Sequence, residues 1–116
     1  MSWEIKDRQI NSVVLVDVIG RLELSAGSDA LEEKLQALIH DGHRAFLLDC
    51  SQVSSIDSAG IGALVRCVIS LHNRGGNLKL LNLSPVMRVA LKVLGLIEHI
   101  DSYDDETAAL ASFKNP

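Results

Sequence analysis

Residues 45–64 read AFLLDCSQVSSIDSAGIGAL: a short apolar run, a polar stretch, then the opening of a helix. Ala45 to Cys50 suits a strand covered on both faces, because strands buried between helix layers carry near-continuous apolar runs. Further on, Ile61, Leu64, Val65, Val68 and Leu71 recur at the spacing of one helix face, and Gly75-Gly76 closes that helix. Between them, residues 51–62 read as a loop leaving the carboxyl end of the strand. Open α/β sheets concentrate function in such loops.

The same signals extend in both directions. Ile5 to Arg8 and Val13 to Ile19 flank the turn-like Gln9-Ile10-Asn11-Ser12, which predicts an antiparallel hairpin. Leu31, Leu35, Leu38 and Ile39 predict a helix with Asp29 and Glu32 in its first turn and Gly42 as its stop. Leu78 to Leu83 is a second apolar strand. Ser84 as N-cap and Pro85 at the first helical position open a third helix that ends at Gly95. A short strand is expected near residues 97–100 and a last helix from about Asp104. This alternation predicts an α/β fold. Its sheet is mostly parallel, with four to five strands, an antiparallel N-terminal strand and about four flanking helices. With no repeat, linker or low-complexity tract, residues 1–116 are expected to form a single domain.

Composition narrows the function. The chain has 116 residues, 47% of them hydrophobic but only 3% aromatic, so the core is aliphatic and stacking platforms for single-stranded nucleic acid are lacking. A net charge of -4 also argues against nucleic acid as a partner. The first residues show no basic segment followed by an apolar one, and no apolar run approaches the ~18 residues of a membrane span. A cytoplasmic protein without membrane insertion is expected. Cys50 and Cys67 form no CxxC pair and read as small buried residues. Charge is blocked along the chain: residues 1–56 carry -4, residues 57–97 carry +4, and residues 98–116 carry -4. Such blocks are ordinary solvated faces, or else a mildly positive region that meets an acidic or phosphorylated partner.

Catalytic patterns fail at the loop. A nucleophile elbow needs glycine where Ile56 stands, a dinucleotide fingerprint needs glycine where Val65 stands, and no Gly-Lys-Ser/Thr occurs. His40 and His43 are spaced like metal ligands, but no further Cys or His pair completes a site. No catalytic residue, metal or cofactor is expected. Asp57 or Ser58 serves as a helix N-cap. Gly60 and Gly62 remain unexplained by capping, since each costs ~1 kcal/mol relative to alanine in a helix. They are read as clearing space around Ser58 for another protein's backbone or a ligand.

Ile56-Asp57-Ser58-Ala59-Gly60-Ile61-Gly62, after an apolar strand, resembles the signature loop of STAS domains, specifically bacterial anti-sigma factor antagonists. Gly20-Arg21-Leu22-Glu23, Leu83-Ser84-Pro85 and Leu94-Gly95-Leu96 resemble further family segments in the same order. The resemblance spans roughly residues 5–113 and implies a function that needs no active site. Ser58 would be phosphorylated by an anti-sigma factor that is itself a histidine-kinase-like ATPase and serine kinase. The unphosphorylated chain would bind that partner and free the sigma factor, and a serine phosphatase would reset the switch. Arg21, Glu23, Leu24, Asp57, Ala59, Gly60, Ile61 and Gly62 are the implied partner-binding residues. Two departures stand out: Ala59 replaces a second serine, and Glu23 replaces the usual Asp. A phosphate on Ser58 would add ~-1.5 to -2 charge beside a helix N-terminus, where the dipole and free N–H groups tolerate it. The alternative is a non-switching STAS scaffold in a stressosome-like sensory assembly or a lipid-transport complex. A monomer is expected.

Overall fold

Alternation along the second strand sets the layers of the molecule. In the computed structural model, which describes residues 3–113, Val14, Val16 and Val18 point into one core while Val13 and Leu15 point into another on the opposite face. Strand β1 (Trp3–Ile10) pairs antiparallel with β2 (Val13–Leu22), and the turn narrows to Asn11-Ser12, with Asn11 in the left-handed region at φ 56°. After β2 come α1 (Ser28–His40), β3 (Ala45–Ile56), α2 (Ser58–Asn73), β4 (Asn77–Leu81), α3 (Pro85–Val93), β5 (Ser102–Tyr103) and α4 (Glu106–Ala111). The sheet is mixed, in the order β1-β2-β3-β4-β5, and every pair except β1–β2 is parallel. The α/β fold expected from the alternation of elements is present.

The two faces are unequal. Leu31, Leu35 and Ile39 of α1, Leu64, Cys67 and Leu71 of α2, and Met87 and Leu91 of α3 all close over one face. On the other face, Ala109 of α4 is buried against Val13, Leu15, Leu47 and Leu81, with Leu110, Tyr103 and Phe113 packed around them. Both cysteines are buried and unpaired, and burial pushes each thiol up to about 12.

Three expectations are corrected. The short strand forms at Ser102–Tyr103 rather than near residues 97–100, because it pairs with Leu80 and Leu81 only after His99 has closed a turn onto Leu96. β4 stops at Leu81, where Asn82 turns left-handed at φ 53° and sends Leu83 into the large core. Most consequentially, β3 continues through residues 51–56, the stretch read as a loop. Beyond the reach of β4 it pairs with the end of β2 alone, Ile19 opposite Gln52 and Leu22 opposite Ile56, after a register shift. Its polar residues resemble a loop because only Val53 is fully buried.

Lys79 is buried on the smaller face and closes it. Its ammonium donates to the Ser112 carbonyl at 3.1 Å and hydroxyl at 3.0 Å, and sits 4.7 Å from the Phe113 ring centroid. A cation at a helix C-terminus satisfies carbonyls that the helix leaves free, and its stem packs as a hydrophobe. Lys79→Ala should therefore lower the unfolding free energy by about 1–3 kcal/mol. Lys6→Ala, in an exposed pair with Glu4, should change it by less than about 0.5 kcal/mol. Urea unfolding of the two variants checks this, and equal midpoints would contradict the assigned role of Lys79.

Candidate functional site

The extended end of β3 carries Asp57 alongside the end of β2. The Asp57 N–H donates to the Leu22 carbonyl at 3.4 Å. Its carboxylate then does two things at once: one oxygen accepts from the Gly60 N–H at 3.0 Å and the other from the Leu24 N–H at 3.2 Å. The first bond caps α2; the second ties the loop after β2 to the start of that helix. Asp57 is thus the N-cap, and the Gly60 N–H, followed by that of Leu24, holds its carboxyl below the usual range. Ser58 becomes the first helical residue and is exposed. Because Asp57 occupies the Gly60 N–H, the helix end is less open to a phosphate than the sequence implied.

The two glycines have different reasons. A Cβ on Gly60 would stand 2.0 Å from the Leu22 carbonyl oxygen, so the strand end and the helix can meet only if residue 60 has no side chain. Gly60 is itself buried, and its contribution is to the geometry of the turn. At Gly62 a Cβ would stand 3.1 Å from Arg66 Nη1 and 3.7 Å from its Cζ. The space expected to be vacant above Gly62 is filled by the protein's own guanidinium.

Residues 23–27 form a tight loop, with Glu23 and Ala26 exchanging backbone hydrogen bonds at 2.9 Å and Ser25 left-handed at φ 61°. The Ser28 hydroxyl donates to the Glu23 carbonyl at 2.8 Å. This loop lifts Leu24 into solvent at 67% exposure. Arg21 holds Glu23 through Nε at 2.9 Å and Nη2 at 2.6 Å, both on Oε1, and keeps that carboxyl below its usual range. The Ser55 hydroxyl is buried beside the same carboxylate without a well-formed partner.

The structure therefore brings Arg21, Glu23, Leu24, Asp57, Ser58, Ala59 and Gly60 to one corner, with Ile61 and Gly62 continuing along α2. Ile61 is half-buried against the large core. Sequence reasoning missed Ser55, Glu32 and Arg66; the positive charge block was the sole hint of Arg66. Arg66 donates to both carboxylate oxygens of Glu32 on α1, at 2.8 and 2.9 Å. Among the described residues no three His, Cys, Asp or Glu side chains converge as metal ligands, and no helix is long and apolar enough to cross a membrane. A cleft lined by Ile10, Ser12, Leu110 and Phe113 lies at the other end of the sheet, where β2 begins. At the carboxyl end stands an exposed hydroxyl on a braced turn.

Residues 4–109 match the family model of the STAS domain. The chain belongs to that family. A relative in Bordetella bronchiseptica, BtrV, provisionally named an anti-sigma factor antagonist, is 30% identical over 90 residues, 78% of each chain. An anti-sigma factor antagonist from Mycobacterium paratuberculosis superposes with a TM-score of 0.86 at 23% identity, covering 98% of this STAS chain and 96% of that one. The antagonist SpoIIAA in its unphosphorylated form gives 0.79 at 21% identity, covering 97% and 100%. The Bacillus SpoIIAA in its phosphorylated form gives 0.73 at 22%, covering 96% and 99%. At these identities the structural likeness establishes the fold.

Two outcomes follow for this STAS domain. Gly60→Ala should destabilise it by about 1–3 kcal/mol or more, since the added methyl meets backbone. Gly62→Ala should be neutral or stabilising by up to about 1 kcal/mol, since Arg66 can swing aside and alanine favours the helix. Denaturant midpoints decide the order, and a reversed order would refute it. Asp57 adds a pH signature. Its carboxyl is depressed in the fold, so its contribution is complete above the unfolded value of about 3.9 and is lost as pH falls through the lower folded value. The stability gap between wild type and Asp57→Asn should shrink in acid titrations below about pH 4; a constant gap would show that the charge of Asp57 is immaterial.

Proposed function

We propose that this chain is an anti-sigma factor antagonist working in the cytoplasm by partner switching, with Ser58 as its phosphorylation site. The observation that carries the proposal is the exposed Ser58 hydroxyl at the first position of α2, on a turn braced by Asp57 and flanked by Leu24. An exposed hydroxyl there is accessible to a kinase active site, and the protein needs no catalytic group of its own. The unphosphorylated face offers a neutral hydroxyl among Leu24, Ala59 and Ile61, with Arg21 and Glu23 at its edge, to an anti-sigma factor that is also a serine kinase.

Phosphorylation would change that face by local electrostatics. The phosphate adds ~-1.5 to -2 charge. Asp57 already accepts the Gly60 N–H, so the new charge stands at the interface beside an existing carboxylate. Desolvating it there weakens the complex, and each ~1.4 kcal/mol lost is tenfold in affinity. A serine phosphatase would restore the hydroxyl.

A second reading, a non-switching scaffold in a larger assembly, draws support from the end of α3, where Val89, Val93 and the C-cap Leu94 are 60%, 78% and 56% exposed. Titration of a purified anti-sigma factor kinase separates the two. Ser58→Ala should bind as the unphosphorylated chain does, and keep binding after incubation with ATP. Ser58→Asp should bind at least about tenfold more weakly. Intact-mass analysis should find one added phosphate on the wild type and none on Ser58→Ala. Equal affinities for the two variants, or a stable hetero-oligomer with no phosphate, would reject partner switching in favour of the scaffold.

A further inference from the structure

The side chain that fills the space over Gly62 belongs to a residue two helical turns from Ser58. Ser58, Gly62 and Arg66 lie at i, i+4 and i+8, one above another on the same side of α2. Roughly 12 Å of helix rise separates Ser58 from Arg66. The Arg66 side chain already folds back over the nearer turn, with Nη1 3.1 Å from the position of a Gly62 Cβ. Glycine at residue 62 leaves the guanidinium that room, which a Cβ would narrow by a few tenths of an ångström. A phosphate on Ser58 would stand one turn beyond Gly62, toward the helix start, the direction in which the Arg66 side chain already folds.

Two facts make that phosphate seek a cation. The Gly60 N–H at the helix start is already taken by the Asp57 carboxylate. Arg21, the other nearby cation, is held by Nε and Nη2 against Glu23 on the loop side. Arg66 is also engaged, through two bonds to Glu32, but its side chain is 60% exposed. Exposed arginine–carboxylate pairs hold weakly, whereas a phosphate near its dianionic form offers three strong acceptor oxygens to the same planar fork.

We propose that Arg66 is the intramolecular counter-charge of phosphorylated Ser58, exchanging Glu32 for the phosphate when the site is modified. The proposal rests on Ser58 being the modified residue. Its consequence reaches beyond the serine. Asp29 and Glu33 lie with Glu32 along one surface of α1, and Arg66 is the cation that spans from α2 to that surface. When Arg66 turns to the phosphate, Glu32 loses its partner and the α1 surface becomes more acidic. The modified protein would then present a changed charge on two helices, so a partner covering both could read phosphorylation at a distance from the serine.

Phosphoserine incorporated at position 58 during translation tests this without any kinase, so a failure of the kinase reading would not disturb the result. The readout is the second ionisation of the phosphate by phosphorus NMR, ordinarily about 6. The groups that bear on it are Asp57 at the cap of α2 and Arg66 within it, Arg21 and Glu23 from β2 and its loop, and Glu32 and Asp29 from α1. In the wild-type chain it should lie about half a pH unit below that of Arg66→Gln. Glu32→Gln, which frees Arg66, should lower it further; Arg66→Lys should recover part of the effect, and Arg21→Gln should leave it unchanged. The Arg66 Nε–H resonance should move only in the phosphoserine form. Equal values in the wild type and Arg66→Gln, or an effect confined to Arg21→Gln, would overturn the proposal.

Discussion

One carboxylate governs the corner where β2 ends and α2 begins. Asp57 accepts from Gly60 and from Leu24, so a single side chain starts α2 and fastens the preceding loop to it. Everything at that end depends on the closeness this enforces. The Leu22 carbonyl lies where a Cβ of residue 60 would be, which makes glycine obligatory. Leu24 is held out into solvent next to Ser58 by the same bond. A helix N-terminus built in this way has one of its donors already satisfied. A charge added at Ser58 meets a helix end whose Gly60 N–H is already taken by Asp57.

The sheet sets where this corner lies. Three helices cover one face and bury it in aliphatic side chains, while among the described residues α4 is the helix on the other, held by a small cluster and the Lys79 clamp. The face with the larger buried cluster carries α2 and hence Ser58. With few aromatics, the core relies on many interlocking Val, Leu and Ile side chains, whose branched shapes permit few alternative packings. The protein's charge then resides on helix surfaces, where the Arg66–Glu32 pair joins α1 to α2.

Much of this was legible in the chain. Helical spacing in residues 61–71, the Ser84-Pro85 start and the Gly42 stop all correspond to observed elements, because capping and periodicity are local properties. The extension of β3 through Ile56 was not legible. Ser51, Gln52, Ser54 and Ser55 are polar because that part of the strand has a neighbour on one side alone and buries little more than Val53. Alternation cannot reveal a strand whose pairing is decided by a distant segment with a shifted register. Reading residues 51–56 as loop concealed why Arg21 and Glu23 adjoin Ser58.

Sequence alone determined the order of elements, the aliphatic core, the presence of Ser58 at a helix start, and the resemblance that located the loop. These follow from short-range periodicity, capping chemistry and a contiguous motif. Only the tertiary structure decided what the two glycines are for. Gly60 admits the carbonyl of Leu22, 38 positions earlier in the chain, and Gly62 admits Arg66, whose guanidinium is anchored on another helix by Glu32. A glycine in a sequence announces missing volume; which atoms occupy that volume depends on how separate elements pack.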